Sequence, residues 1–232
     1  MCFINLREYQ WYNQTEGTRT GIPIELSINF HRVFSVDVIH PVLDLVVWMR
    51  IEWVDPRLTW DPLEYGNLTK IWMWIGDGGS GGETSEIWTP DIELWNLDEG
   101  LRDSFDDAYA IVSNDGSIFW SRPGHLRPVC KWYGLNDFPF DELSCSLEFG
   151  SWVYSGKYMR LVKGGGSGYS LGGSETAGSS FNEFAFADEN PISCEEVVYP
   201  PFPASPGKSE FVLFCCLFGV FNMKTRPFEN FI

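Results

Sequence analysis

The chain predicts an all-β protein, and three observations carry the prediction. Apolar and polar residues alternate with period two over 22–31, 42–53 and 143–152, the spacing of strands with one face turned to a core. Eleven Trp, eighteen Phe and nine Tyr make the chain rich in residues that favour pleated, half-buried surfaces over helices. Strand patterns also resume directly after each glycine-rich stretch, at 75–83 and 164–174, with no second core composition. At 232 residues, length alone allows one large β-domain or two small ones, so this continuity argues for a single domain over 1–232.

In chain order, residues 3–13 are expected to form a short helix before a turn region at Gly17–Gly21. In the first strand Ile22, Ile24, Leu26, Ile28 and Phe30 share one face, and Pro23, Glu25, Ser27, Asn29 and His31 the other. His31 therefore reads as a solvated histidine rather than a metal ligand. In the next strand Leu43, Leu45, Val47, Met49, Ile51 and Trp53 face the core, opposite Val42, Asp44, Val46, Trp48, Arg50 and Glu52. That parity puts Trp48 on the side that meets water, where a large aromatic usually marks an interface or a ligand site.

Asn114-Asp115-Gly116 is a hairpin-type turn, followed by a strand at Ile118–Trp120. His125 stands in a segment broken by Pro and Gly, with no partner motif. From Leu143, the residues Cys145, Leu147 and Phe149 alternate with Ser144, Ser146, Glu148, Gly150 and Trp152, so a second Trp falls on a polar face. Residues 181–223 read as a long hairpin, with a proline-rich tip from Tyr199 to Gly207 and a return arm apolar on both faces.

The net charge of −16 disfavours nucleic acid and favours cationic ligands or metal ions near the surface, or simply keeps a secreted domain soluble. Asp98, Glu99, Asp103, Asp106 and Asp107 form an acidic cluster that could hold Ca²⁺, although EF-hand spacing is absent; a solvated acidic loop is the alternative. Three scattered histidines assemble no zinc site, and neither glycine-rich stretch has the ending or context of a phosphate loop. Six cysteines, at 2, 130, 145, 194, 215 and 216, suit an oxidising compartment. Asn13 and Asn67 head glycosylation triplets. Met1 to Leu6 is too short for a secretory leader, and no run of ~18 apolar residues occurs, so the chain is not expected to span a membrane and reads as a mature or trimmed extracellular portion.

Residues 130–152, CKWYGLNDFPFDELSCSLEFGSW, resemble the signature loop of the Cys-loop receptors, the pentameric ligand-gated ion channels, with one residue more between the cysteines than the family has. WVDPRLTWDPLEY from Trp53 is similar to the family's WxDxRLxWxPxxY stretch, in which Trp53 and Trp60 would be core and Arg57 tied to a carboxylate. EIWTPDIELWN, residues 86–96, resembles the first ligand-contacting loop, with Trp95 in place of the family's tyrosine. MKTRPFENFI resembles the junction into the first membrane helix. The whole looks like a divergent extracellular domain of the nicotinic-receptor and acetylcholine-binding-protein kind.

The resemblance implies a twisted, immunoglobulin-like β-sandwich of about ten strands with Greek-key connections. It implies a disulfide between Cys130 and Cys145, which would constrain the unfolded chain by about 3 kcal/mol. Trp95, Trp152, Tyr199 and Phe202 would form the principal face of a ligand site, and Trp48 would come from the neighbouring subunit. The ring faces would attract a cationic amine. A head-to-tail contact between identical or homologous subunits must close into a ring, here a pentamer. Asp37, Phe138, Pro139, Phe140, Asp141 and Arg226 would couple binding to gating at the membrane side, with Asp141 and Arg226 as a pair. Two departures bear on this coupling: Val38 stands for an acidic residue and Thr225 for a basic one. By the same resemblance Cys194 bridges to Cys215 or Cys216, the alternative being free buried thiols.

A secreted β-sandwich carbohydrate-binding protein or glycoside hydrolase is the competing reading, since aromatics and carboxylates also suit sugars. Hydrolysis needs two carboxylates about 5–9.5 Å apart, and nothing in the sequence singles out such a pair. No Ser-His-Asp, HExxH or metal-ligand spacing points to another enzyme.

Overall fold

In a computed structural model of the chain, the described residues are 11–13, 18–37, 39–76, 84–98, 104–133, 142–156, 158–171, 185–186, 192–199 and 211–222. Among them fifteen strands follow one another: β1 Trp11–Asn13, β2 Thr18–Thr20, β3 Ile22–Asp37, β4 Val42–Thr59, β5 Lys70–Ile75, β6 Glu93–Leu94, β7 Ala108–Ser113, β8 Asp115–Leu126, β9 Lys131–Tyr133, β10 Glu142–Gly150, β11 Met159–Lys163, β12 Tyr169–Leu171, β13 Ala185–Phe186, β14 Ile192–Tyr199 and β15 Phe211–Asn222. A 3-10 turn, Pro62–Tyr65, lies between β4 and β5, capped by the Asp61 side chain and by Gly66 in the left-handed region. The all-β expectation holds. The count exceeds the expected ten because pieces of two or three residues pair as separate strands. The expected helix over 3–13 does not extend to Trp11–Asn13, which pair with Thr18–Thr20 as β1 and β2; residues 3–10 lie outside the described residues.

Seven strands form one sheet in the order β11-β3-β4-β8-β7-β5, with β12 also on β3. Six form the other, in the order β13-β15-β10-β6, with β14 on β15 and β9 on β10. The alternation read from the sequence is the one that folds. Ile24, Leu26 and Ile28 of β3 and Leu43, Leu45 and Val47 of β4 are fully buried, and Leu147 and Phe149 of β10 join the same core from the second sheet. Trp53 is in this core and stacks edge-on against Trp88 at 6.3 Å, while Trp60 is half-buried against it. Arg57 is tied to a carboxylate as expected: the buried Asp55 accepts from its Nε at 2.9 Å and from its backbone N–H at 3.0 Å.

The strand after the Asn114 turn runs from Asp115 to Leu126, well beyond Trp120. It therefore includes His125, which does have a partner: its Nδ1 lies 2.7 Å from Asp44 Oδ1 on the neighbouring β4. In the β14–β15 hairpin, Cys194 stands across from Cys216, and Cys215 across from Glu195. Among the described residues, no helix is long and apolar enough to cross a membrane.

Candidate functional site

Trp48 sits mid-way along β4 on the outer face of the seven-stranded sheet, with 42% of its surface exposed. Its cross-strand partners are Asn29 on β3 and Pro123 on β8. His31 packs against it, ring centroids 4.4 Å apart. Phe119 of β8 pairs with Glu52 of β4 and is partly exposed on this face. Parity puts Phe119 on the same face as Trp48, and the register between β4 and β8 sets it four residues along, opposite Glu52.

Trp95 and Trp152 belong to the other sheet. β6 pairs antiparallel with the end of β10 through Leu94 opposite Phe149 and Glu93 opposite Gly150, so Trp95 comes level with Glu148 while Trp152 lies two residues beyond Gly150, on the other side of this short ladder. Backbone and side-chain bonds hold the Trp95 loop: Trp95 N–H donates to Glu148 O at 2.9 Å, and Asn96 Nδ2 to Ser146 O at 2.6 Å. Asn96 Oδ1 in turn accepts from Glu148 N–H at 3.2 Å.

Strand parity does not account for Trp152, because β10 ends at Gly150. Trp152 lies in the bend that follows, 77% exposed. That bend is pinned from the opposite loop. Asp91 Oδ2 accepts from Ser151 Oγ and from Val153 N–H, both at 2.8 Å, and Ser151 Oγ accepts from Tyr154 N–H at 2.8 Å. Sequence reading missed Asp91. The only local signal was an aspartate inside the TPDI segment, and its partner is 60 residues away. Tyr199 closes β14 opposite Phe211, and Phe202 lies outside the described residues.

The chain thus carries Trp95 and Trp152 on either side of the short β6–β10 ladder of one sheet, and Trp48 on the other sheet. A cavity of about 470 Å³ is lined by Met49, Ile51, Asp91, Glu93, Asp107 and Arg122 among others, and by none of the five predicted cage residues. The Arg122 guanidinium lies 4.7 Å from the Trp120 ring centroid and donates to Phe105 O at 2.7 Å. Of the acidic cluster, Asp98 pairs with Arg127 at 3.7 Å, while Glu99 and Asp103 lie outside the described residues. No group of three potential metal ligands occurs among the described residues.

Cys130 and Cys145 form a disulfide, buried at both ends, with Cα atoms 4.5 Å apart. The Asp37 turn is stitched to its base: Cys130 N–H donates to Pro41 O at 2.7 Å and Leu43 N–H to Pro128 O at 3.2 Å. Asp37 Oδ1 accepts from the N–H groups of His40, at 3.0 Å, and Ile39, at 2.8 Å, and Oδ2 meets the His40 ring. The bonds from His40 and then Ile39 hold the Asp37 carboxyl below the usual carboxylate range. Phe138, Pro139, Phe140, Asp141 and Arg226 lie outside the described residues.

A family model of the Neurotransmitter-gated ion-channel ligand binding domain matches residues 6–200. The chain belongs to this family. Among its relatives is the neuronal acetylcholine receptor subunit beta-2 of Gallus gallus, 31% identical over 148 residues, 64% of this chain and 28% of that protein. The acetylcholine receptor subunit alpha-type acr-7 of Caenorhabditis elegans is 34% identical over 147 residues, 62% of this chain and 26% of its own. The neuronal acetylcholine receptor subunit eat-2 of Caenorhabditis briggsae is 34% identical over 136 residues, 59% of this chain and 26% of its own. The chain therefore spans about a quarter of the length of these relatives.

Proposed function

We propose that residues 1–232 act as one extracellular ligand-binding unit of a pentameric ligand-gated ion channel at the plasma membrane. The unit takes a small cationic amine between two copies of itself and passes the binding event to a gate. The observation that carries this reading is the exposure of Trp48 on one sheet and of Trp152 at the end of the other. Neither face alone encloses a cation, and a head-to-tail neighbour would bring the second face to the first. A net charge of −16 favours a positively charged ligand. Trp95, Tyr199 and Phe202 complete the cage on the Trp152 side. The Asp37 turn and the Cys130–Cys145 loop are the coupling elements toward the membrane.

A desolvated ammonium over Trp gains about 2 kcal/mol, roughly thirty-fold in affinity. The test is light scattering on the full chain with and without tetramethylammonium, together with calorimetric titration of Trp48→Ala and Trp152→Ala. A five-subunit mass and a loss of roughly that size in each variant are expected. A monomer that binds tetramethylammonium no better than either variant would overturn the inter-subunit cage.

A further inference from the structure

We propose that His31 is a proton-operated wall of the Trp48 subsite, leaving the ring open to a cationic ligand when neutral and repelling that ligand when protonated. The proposal rests on the reading of Trp48 as one side of a cation site. The two rings are 4.4 Å apart between centroids, with planes tilted by 48°, so an imidazolium would sit within cation–π distance of the indole. It would then do from inside the chain what the ligand does from outside, and its charge would oppose any second cation there.

The surroundings keep His31 neutral at physiological pH. Its Nε2 is buried and has no hydrogen-bond partner among the described residues. Burial first, and then the Arg50 charge, hold its pKa below the ordinary histidine value. The charged groups around it are few. From β4 the facing charge is Arg50, with Glu52 two residues further on the same face and across from Glu25 of β3. On β3 the next residue is Arg32, whose guanidinium lies 5.7 Å from the Phe34 ring centroid. β12 brings uncharged Ser170 opposite Asn29, and β11 brings Arg160 and Lys163 to the far end of β3. On β8, His125 stands directly opposite Val46, held by Asp44 of β4. No carboxylate is hydrogen-bonded to His31 among the described residues to draw a proton onto it, so its charge appears only on acidification.

The sign follows. A lowered pKa means the neutral form dominates above it, so ligand affinity is full near neutrality and falls as pH drops through that value. Tetramethylammonium is the probe, because its own charge does not change with pH. Its affinity for the full chain is measured by calorimetry between about pH 7.5 and 5.0, the range histidines titrate in. The wild-type affinity is expected to fall roughly tenfold, and His31→Gln to hold constant. In Arg50→Gln the midpoint of the fall should move to higher pH, since one opposing charge is gone; a packing role for His31 would not move it. Binding that depends on Trp48 yet is insensitive to pH, or that falls equally in His31→Gln, sinks the His31 proposal alone. No binding of tetramethylammonium at any pH, in wild type or in Trp48→Ala, overturns the cation site and this proposal with it.

Discussion

At the residue scale, the constraints that matter most are contacts too close to admit a different side chain. Gly116 adopts φ +83°, the left-handed region, and a Cβ there would meet Asp55 O at 2.5 Å. Asp55 is also the buried partner of the exposed Arg57, so pushing its backbone disturbs an ion pair whose carboxylate is buried. Gly116→Ala should therefore destabilise the chain by about 1–3 kcal/mol, read as a lowered urea midpoint. An unchanged midpoint would mean the turn relaxes freely. Asp37 illustrates the reverse case, an exposed carboxylate used only locally. Its lowered pKa means its turn bonds persist at neutral pH and are lost as pH falls through the acidic end of the carboxylate range.

At the element scale, two connections decide the site. The first joins the bend after β10 to the loop before β6 through one carboxylate, Asp91. In Asp91→Ala the Ser151 hydroxyl and the Val153 N–H lose their acceptor, and Trp152 loses its fixed direction. Tetramethylammonium affinity should drop about tenfold while the unfolding midpoint moves by an amount typical of a lost buried hydrogen bond, about 1–3 kcal/mol. Full affinity in this variant would show that the bend needs no pin. The second connection is the disulfide, which closes a separation of 15 residues. Replacing Cys130 and Cys145 together by Ser should cost about 3 kcal/mol in denaturant titrations. Equal midpoints for the oxidised wild type and the double variant would leave the bridge no part in stability.

At the scale of the whole molecule, the Asp37 turn and the base of the disulfide loop are one surface, held by bonds from Cys130 to Pro41 and from Leu43 to Pro128. These bonds join the base of the loop to the end of β3 and the start of β4, the strand that carries Trp48. We expect the loop to pass its motion on through an Asp141–Arg226 pair. Recording currents from a full-length channel tests it: exchanging the two charges should restore the gating that either single reversal abolishes. Two silent single reversals, or a silent exchange, would remove the pair from the coupling path.

The sequence by itself determined the strands and their faces. Leu43 through Trp53 and Ile22 through Phe30 bury the alternate residues that their spacing assigns, because side-chain direction in a strand is a local property with a period of two. The same locality made Trp48 legible as an exposed aromatic, whereas the bridge from Cys130 to Cys145 was legible through the family resemblance. Where the pattern was continued past the end of a strand, as at Trp152, parity no longer applied and the exposure had another cause. What only the tertiary structure decided was who meets whom. The parallel pairing of β11 and β12 with β3, the partnership of Asp44 with His125, the stack of His31 on Trp48 and the Asp91 pin all join residues far apart in sequence. Such contacts are set by strand register and sheet order, which depend on the packing of the whole core and leave no local periodic trace.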